Sequence, residues 1–396
     1  MTSKSVDLNV KVLLVTSGLL SLSMGVGYPF LSEYVYAVTG SVLLAGAVAS
    51  VRSVVCVFSL FMGGYLADLA GRKRLIWAGT LLLGLSQILY SSANTPNGFY
   101  LAAVCEGVAY FYFPAFNAMI MDSTRGSRLR VFTLFLIAEH LPYTVSPVLG
   151  GYLRDLHGVW GLRLSFNIGG IAILALTAAR WMWLSETLRE QRIVETGAML
   201  TGWVKAASSF KDLHPTVKRL VGLRSFVLLN GLSMFNYFAV LYAVRYAGVV
   251  SYSEWGVVMA LSSASYLAAI PLSKLAEKAK PNPLYSALVF LEATTPLMFL
   301  IHAKASLFTS MALLNICGAL TYAIERSLVA HFTGHAMRGK AEGFMSVSYY
   351  LGAAIGSLIG GLLYSKNPPL LLFSASTLLA SGAGLSLIYL RKLPRL

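Results

Sequence analysis

An all-α integral membrane fold, with twelve transmembrane helices in two six-helix halves, is predicted by three observations. Charge is scarce, apolar runs of membrane-crossing length follow one another closely, and lysine and arginine concentrate on alternate connections. The chain has 396 residues, of which 57% are hydrophobic and only 12% are charged. A water-soluble chain of this length is about one-quarter charged and splits into two or three domains. So few charges cannot coat such a surface, whereas a surface facing lipid does not need them. The bilayer is therefore the main solvent.

A transmembrane helix needs about 20 mostly apolar residues. Runs of that kind cover residues 10–37, 42–67, 75–92, 98–121, 130–153 and 162–184, then 223–246, 253–275, 283–302, 306–330, 341–365 and 370–391. The first run is too long for the apolar core of a signal peptide and lacks a small-residue cleavage site, so it reads as a retained span. Between the sixth and seventh runs, residues 185–222 carry Glu186, Arg189, Glu190, Arg192, Glu195, Lys205, Lys211, Asp212, Lys218 and Arg219. The expected organisation is a six-helix bundle at 1–184, a cytoplasmic linker at 185–222 and a second bundle at 223–396.

Of the 31 lysines and arginines, 23 fall at the termini and on alternate connections, five fall on the other connections, and Arg52, Arg180 and Arg326 lie inside spans. By the positive-inside rule both termini and the linker are cytoplasmic, which requires an even number of spans. The net charge of +15 is thus topological. Without an aromatic-interleaved basic face it implies no nucleic-acid partner. Cys56, Cys105 and Cys317 lie in apolar runs without ligand spacing, so no disulfide, metal site or cofactor is expected.

The halves echo one another. Leu66, Leu69, Ala70, Arg72 and Arg74 after the second run recur as Leu272, Leu275, Ala276, Lys278 and Lys280 after the eighth. Leu149-Gly150-Gly151 likewise returns as Ile359-Gly360-Gly361, the pattern of a parallel internal repeat.

Gly64-Tyr65-Leu66-Ala67-Asp68-Leu69-Ala70-Gly71-Arg72-Lys73-Arg74 resembles the loop motif between spans two and three of the major facilitator superfamily. Gly64 suits the close approach of a neighbouring helix, Asp68 suits a helix N-terminus, and Gly71 suits a tight turn. Asp122 with Arg125, Arg128 and Arg130, Leu184-Ser185-Glu186-Thr187, and Arg338-Gly339-Lys340-Ala341-Glu342-Gly343 extend the likeness over the whole chain. The resemblance implies two pseudo-symmetric bundles and a gating role for Gly64, Asp68, Gly71, Arg72 and Lys73. It also implies alternating access to a small-molecule substrate by a monomer in the plasma membrane.

Ser146-Pro147-Val148-Leu149-Gly150-Gly151 resembles the end of the family's antiporter motif, with serine where glycine is usual. Pro147, Gly150 and Gly151 are accordingly expected to form an interdomain hinge. Span four lacks the arginine of many proton-coupled members, Ala102 standing near its place.

A charge at mid-bilayer costs about 2.5 to 3.5 kcal/mol on insertion scales, so each needs a partner or a task. At about 1.5 Å per residue, Arg52, Glu106 and Glu139 fall at similar depths, and His140 adjoins them. They are expected to form either a proton-coupling cluster or a static ion pair. Glu33, four residues after Pro29, is expected at a solvated rim; Glu325 and Arg326 are expected to form an internal or cross-domain pair; Glu292 has no evident partner.

The family's cavity is lined by spans one, four, seven and ten. Here they offer Tyr28, Tyr110, Phe113, Asn117, Asn230, Asn236, Tyr237, Asn315 and Tyr322, an aromatic wall with a few amides. Such a lining fits an amphipathic or aromatic solute better than a sugar. The leading expectation is a proton-coupled exporter of such molecules, a multidrug-efflux type of antiporter. A symporter or uniporter importing a small organic solute, or a lipid or lysolipid transporter, is the alternative. No nucleophile elbow, zinc-protease or Walker sequence points to an enzyme.

Overall fold

In a computed structural model of the chain, residues 3–67, 69–124, 128–188, 207–269, 271–272 and 280–390 are described. Within them the backbone is helical, with no strand. Lipid forces this outcome, because a helix satisfies its own amides and carbonyls where no water can.

Among the described residues ten helices are long and apolar enough to cross a membrane: α1 (Leu8–Thr39), α2 (Val42–Ala67), α3 (Arg72–Ser92), α4 (Pro96–Ser123), α6 (Val159–Trp183), α7 (Pro215–Tyr246), α9 (Pro281–Ile301), α10 (Lys304–Phe332), α11 (Lys340–Lys366) and α12 (Pro368–Tyr389). The fifth and eighth predicted spans, α5 and α8, are interrupted helices. In α5, Arg128–His140 gives way to a tighter turn at Leu141–Thr144 before Ser146–His157 resumes. Pro142 and Pro147 each remove a backbone donor, which breaks the ladder there. In α8, Tyr252–Ala264 tightens into Ser265–Ala268. Among the described residues, helix is therefore found in each of the twelve predicted spans. The largest shift of a boundary is in α7, which begins at Pro215 instead of 223.

Local signals set the starts. Gly71 has φ 95° immediately before α3, Gly158 has φ 60° before α6, and proline opens α4, α7, α9 and α12. Thr95 accepts from the Gly98 amide to cap α4, and Ser251 with Glu254 forms a capping box at α8.

The helices form two compact units: residues 1–31 with 54–207, and residues 32–53 with 208–396. The adjoining ends of α1 and α2 thus pack with the C-terminal helices. In the first unit α3 packs along α6 and α4, and α1 along α6 and α5. In the second, α9 packs along α12 and α10, and α7 along α11 and α12. The same pairings recur at an offset of six helices, which is the repeat read from the sequence.

Glycines set the closest approaches. In the first unit a Cβ on Gly25 would collide with the Ser146 hydroxyl, and one on Gly150 with the Val26 carbonyl. Ser146 can therefore stand where the family uses glycine, because α1 has made room for its side chain. In the second unit Gly352, Gly356 and Gly360 present one face of α11 to Leu229, Asn230 and Phe238 of α7.

Gly64 departs from expectation. A Cβ there would meet nothing within 4 Å, while one on the preceding Gly63 would collide with the Phe111 carbonyl of α4. Gly63→Ala is accordingly expected to lower stability by roughly 1 to 3 kcal/mol, and Gly64→Ala to leave it unchanged. Thermal melting of the two variants in detergent checks this; a loss confined to Gly64→Ala would reverse the assignment.

Candidate functional site

In the first unit, Gly71 turns the chain so that the first amides of α3 face the segment following α6. Arg72 N and Lys73 N donate to the Glu186 carboxylate at 3.0 and 3.1 Å, which also receives the Thr187 and Leu188 amides at 2.9 and 3.0 Å. A carboxylate at a helix N-terminus satisfies orphan amides and opposes the positive end of the dipole. The Arg72 guanidinium pairs with Asp122 at the end of α4 and donates to Ala118 O and Thr187 Oγ1, each at 3.3 Å. Lys73 Nζ lies 5.3 Å from the Trp181 ring centroid. Asn9, buried in α1, exchanges hydrogen bonds with the backbone of Ser185 at 2.8 and 3.0 Å. The loop motif and the Leu184–Thr187 stretch are thus one device binding α1, α3, α4 and α6. The carboxylate seen at a helix N-terminus is Glu186; Asp68 lies outside the described residues.

Deeper in this unit, Glu106 of α4 is fully buried and accepts from Tyr90 OH of α3 at 3.1 Å. Glu139 ends the first piece of α5, half-buried, and its backbone carbonyl accepts from the Ser21 hydroxyl of α1. Arg180 of α6, noted from the sequence only as an arginine inside a span, is the largest charged side chain sealed in this unit. Nε donates to Thr16 Oγ1 at 3.0 Å and Nη1 to Thr80 Oγ1 at 2.6 Å. Tyr112 and Phe116 of α4 place their ring centroids 6.0 and 5.8 Å from the guanidinium. The signal for its role was in the sequence, since an arginine three residues from the end of a span need not be buried unless the fold uses it.

Tyr110, Phe113 and Asn117 of α4 and Tyr28 of α1 are half-buried. Phe113 stacks on Phe116 with centroids 6.4 Å apart, so part of the expected aromatic wall is packed against itself. Pro147, Gly150 and Gly151 are buried in the second piece of α5.

In the second unit, Glu33 corrects the expectation of a solvated rim. It is fully buried, and its two oxygens accept from Arg245 Nε and Nη2 at 2.6 and 2.7 Å and from Tyr252 OH at 2.8 Å. Arg245 also stands 5.0 Å from the Tyr36 ring centroid. Neither partner was legible, because Arg245 and Tyr252 follow Glu33 by 212 and 219 residues. Arg52, half-buried, belongs to this unit, whereas Glu106 and Glu139 belong to the first.

Glu325 and Arg326 are not each other's partners. Glu325 pairs with Arg224 and accepts from Tyr285 OH at 2.7 Å, while Arg326 pairs with Glu342 and lies 4.8 Å from the Tyr322 ring centroid. Successive residues on a helix point about 100° apart, so the two had to diverge. Glu292 finds its partner in Thr321, whose hydroxyl donates at 3.1 Å. Of the expected cavity residues, Asn230 is buried with an Oδ1 that accepts no hydrogen bond among the described residues, Tyr237 and Asn315 are half-buried, and Asn236 and Tyr322 are exposed.

A family model described as Major Facilitator Superfamily matches residues 13–306 and 225–395. The chain belongs to the major facilitator superfamily. It is a multi-pass membrane transporter of that family. It is 24% identical to multidrug resistance protein 2 of Bacillus subtilis (strain 168) over 343 residues, covering 83% of this chain and 82% of that protein. It is 29% identical to the Na(+), Li(+), K(+)/H(+) antiporter of Planococcus maritimus over 163 residues, 39% of this chain and 38% of that one. The crystal structure of nucleoside transporter NupG superposes with TM-score 0.72 at 17% identity, over 96% of each chain, a likeness of fold.

In this transporter the Glu33 cluster is open to a direct check. Arg245→Leu takes the guanidinium away from a buried carboxylate and is expected to cost about 3 kcal/mol, the low end for a buried pair because Arg245 keeps 37% exposure. Adding Glu33→Gln is expected to restore most of the melting temperature at neutral pH. Equal melting of the single and double variants would show that the pair does not support the fold.

Proposed function

We propose that this transporter exports small amphipathic or aromatic molecules in exchange for protons, by alternating access. It works as a monomer in the plasma membrane with both termini cytoplasmic. The observation that carries the proposal is that two carboxylates within predicted spans, buried Glu106 and half-buried Glu139, lie inside one helical unit. A carboxylate held in an apolar bundle binds or releases a proton as its surroundings change. Of the expected coupling set, Arg52, Glu106, Glu139 and His140, the proton is assigned to Glu139. It sits at the break in α5, beside Pro142 and ahead of Pro147, where a small rearrangement of backbone alters its environment. Glu106, held by Tyr90, ties α4 to α3.

The exporter reading draws on the similarity to a multidrug resistance protein and to a cation/proton antiporter. Substrate contacts are assigned to the open Asn236, to Tyr237, and to Asn230, whose buried amide oxygen is available to a donor. The gating role is assigned to the loop around Gly71, Arg72 and Lys73, and the hinge to Pro147, Gly150 and Gly151.

The test uses protein in liposomes with an acidic interior and ethidium outside. Antiport predicts accumulation of the dye as protons leave, and Glu139→Gln is expected to slow this at least tenfold and abolish its dependence on the gradient. Co-movement of solute with protons would identify a symporter. A wild-type pH dependence in both Glu106→Gln and Glu139→Gln would remove the coupling assignment. Flip of a fluorescent lipid without proton dependence would point to lipid cargo.

A further inference from the structure

Arg180 is completely buried in α6, and among the described residues no carboxylate makes an ion pair with it. In the second unit the corresponding problem is solved directly, because buried Arg224 is paired with Glu325 and donates to Ser348 Oγ at 3.2 Å. Arg180 has two threonine hydroxyls and two aromatic rings instead. A buried guanidinium so placed needs compensating negative charge within electrostatic reach.

Four contacts place Glu139 in its neighbourhood. Phe135 lies one turn before Glu139 on the same face of α5, and its ring meets Phe116 with centroids 5.6 Å apart. Phe116 is in turn 5.8 Å from the Arg180 guanidinium. On α1, Arg180 is held at Thr16 while Ser21 holds the Glu139 backbone, five residues or about 7.5 Å of helix rise away. Phe116 and Phe135 belong to the apolar cluster that also includes Leu13, Leu20 and Leu176, and charges interact more strongly in such surroundings than in water.

We propose that Arg180 is a positioning residue for proton coupling, supplying the fixed positive charge against which Glu139 binds and releases its proton. This rests on the assignment of the transported proton to Glu139. The titratable and charged groups on the elements around Glu139 are His140 on its own helix, Tyr112 of α4, which packs on Phe116, and Arg180 of α6, while Ser21 of α1 holds its backbone. His140 is exposed, so Arg180 is the buried cation of the set. Thr16 and Thr80 anchor the guanidinium to α1 and α3. Any movement of α5 relative to those helices therefore changes the distance between the two charges, and with it the hold on the proton. The proton comes from and returns to water, and no covalent bond is made or broken.

The test is substrate-independent. Infrared difference spectra of the full-length protein in liposomes follow the protonated-carboxyl stretch of Glu139, identified by its absence in Glu139→Gln. Loss of the positive charge in Arg180→Gln is expected to move the midpoint of this titration to higher pH by about one unit, and Arg180→Lys is expected to stay near the wild type. An unmoved midpoint in Arg180→Gln overturns the inference. Should Arg180→Gln fold poorly, melting of Arg180→Gln in the wild-type and Glu139→Gln backgrounds decides. Interacting charges require a smaller loss in the second background, and equal losses refute the interaction. The assignment of the proton fails separately, if the band titrates as expected while ethidium exchange by Glu139→Gln keeps its wild-type dependence on the gradient.

Discussion

Every charge carried into an apolar helical bundle has to find its counter-charge or hydrogen bonds within the bundle, because no water is there to serve. Two buried arginines show how each unit of this transporter meets that constraint. Arg224 in α7 joins Glu325, Tyr285 and Ser348, so one salt bridge ties α7, α9, α10 and α11 together. Arg180 in α6 reaches Thr16, Thr80 and the rings of Tyr112 and Phe116, and so ties α6 to α1, α3 and α4. The first arrangement is electrically closed. The second rests on hydroxyls and aromatic rings, with no carboxylate in an ion pair with it among the described residues.

The charges meet only because the helices come close enough. Glycine on α1 and α5 of the first unit, and on α7 and α11 of the second, removes the side chains that would hold the backbones apart. The same pairs of helices are matched at an offset of six, so the repeat extends from the sequence echoes to the packing. Ser146 shows the tolerance of the scheme. Its hydroxyl fills the room above Gly25 and donates to Pro142 O at 3.0 Å, stitching the break in α5 that two prolines create.

Much of the polar organisation was misread or unread in one dimension, for identifiable reasons. Glu33 seemed destined for water because it follows a proline near the end of a span, yet residues more than 200 positions later enclose it. Glu325 and Arg326 looked like a pair through adjacency, which on a helix points them apart. Gly64 carried the motif's glycine, while the neighbour Gly63 faces α4, a difference of one residue and about 100° of rotation that the sequence pattern does not register. Arg180 was visible as a charge inside a span, but its hydroxyl and aromatic partners lie on three other helices.

What the sequence by itself determined is what lipid dictates locally: a helical backbone, the twelve apolar runs, the glycine turn before α3 and the internal repeat. These follow from composition, spacing and backbone stereochemistry, which act within a few residues. Only the tertiary structure decided which charges are partnered, which glycine admits a neighbour, and that residues 32–53 pack with the C-terminal helices. Those outcomes depend on the rotation and depth of helices far apart in the chain, and a side chain in hydrocarbon takes whichever partner that packing brings within reach.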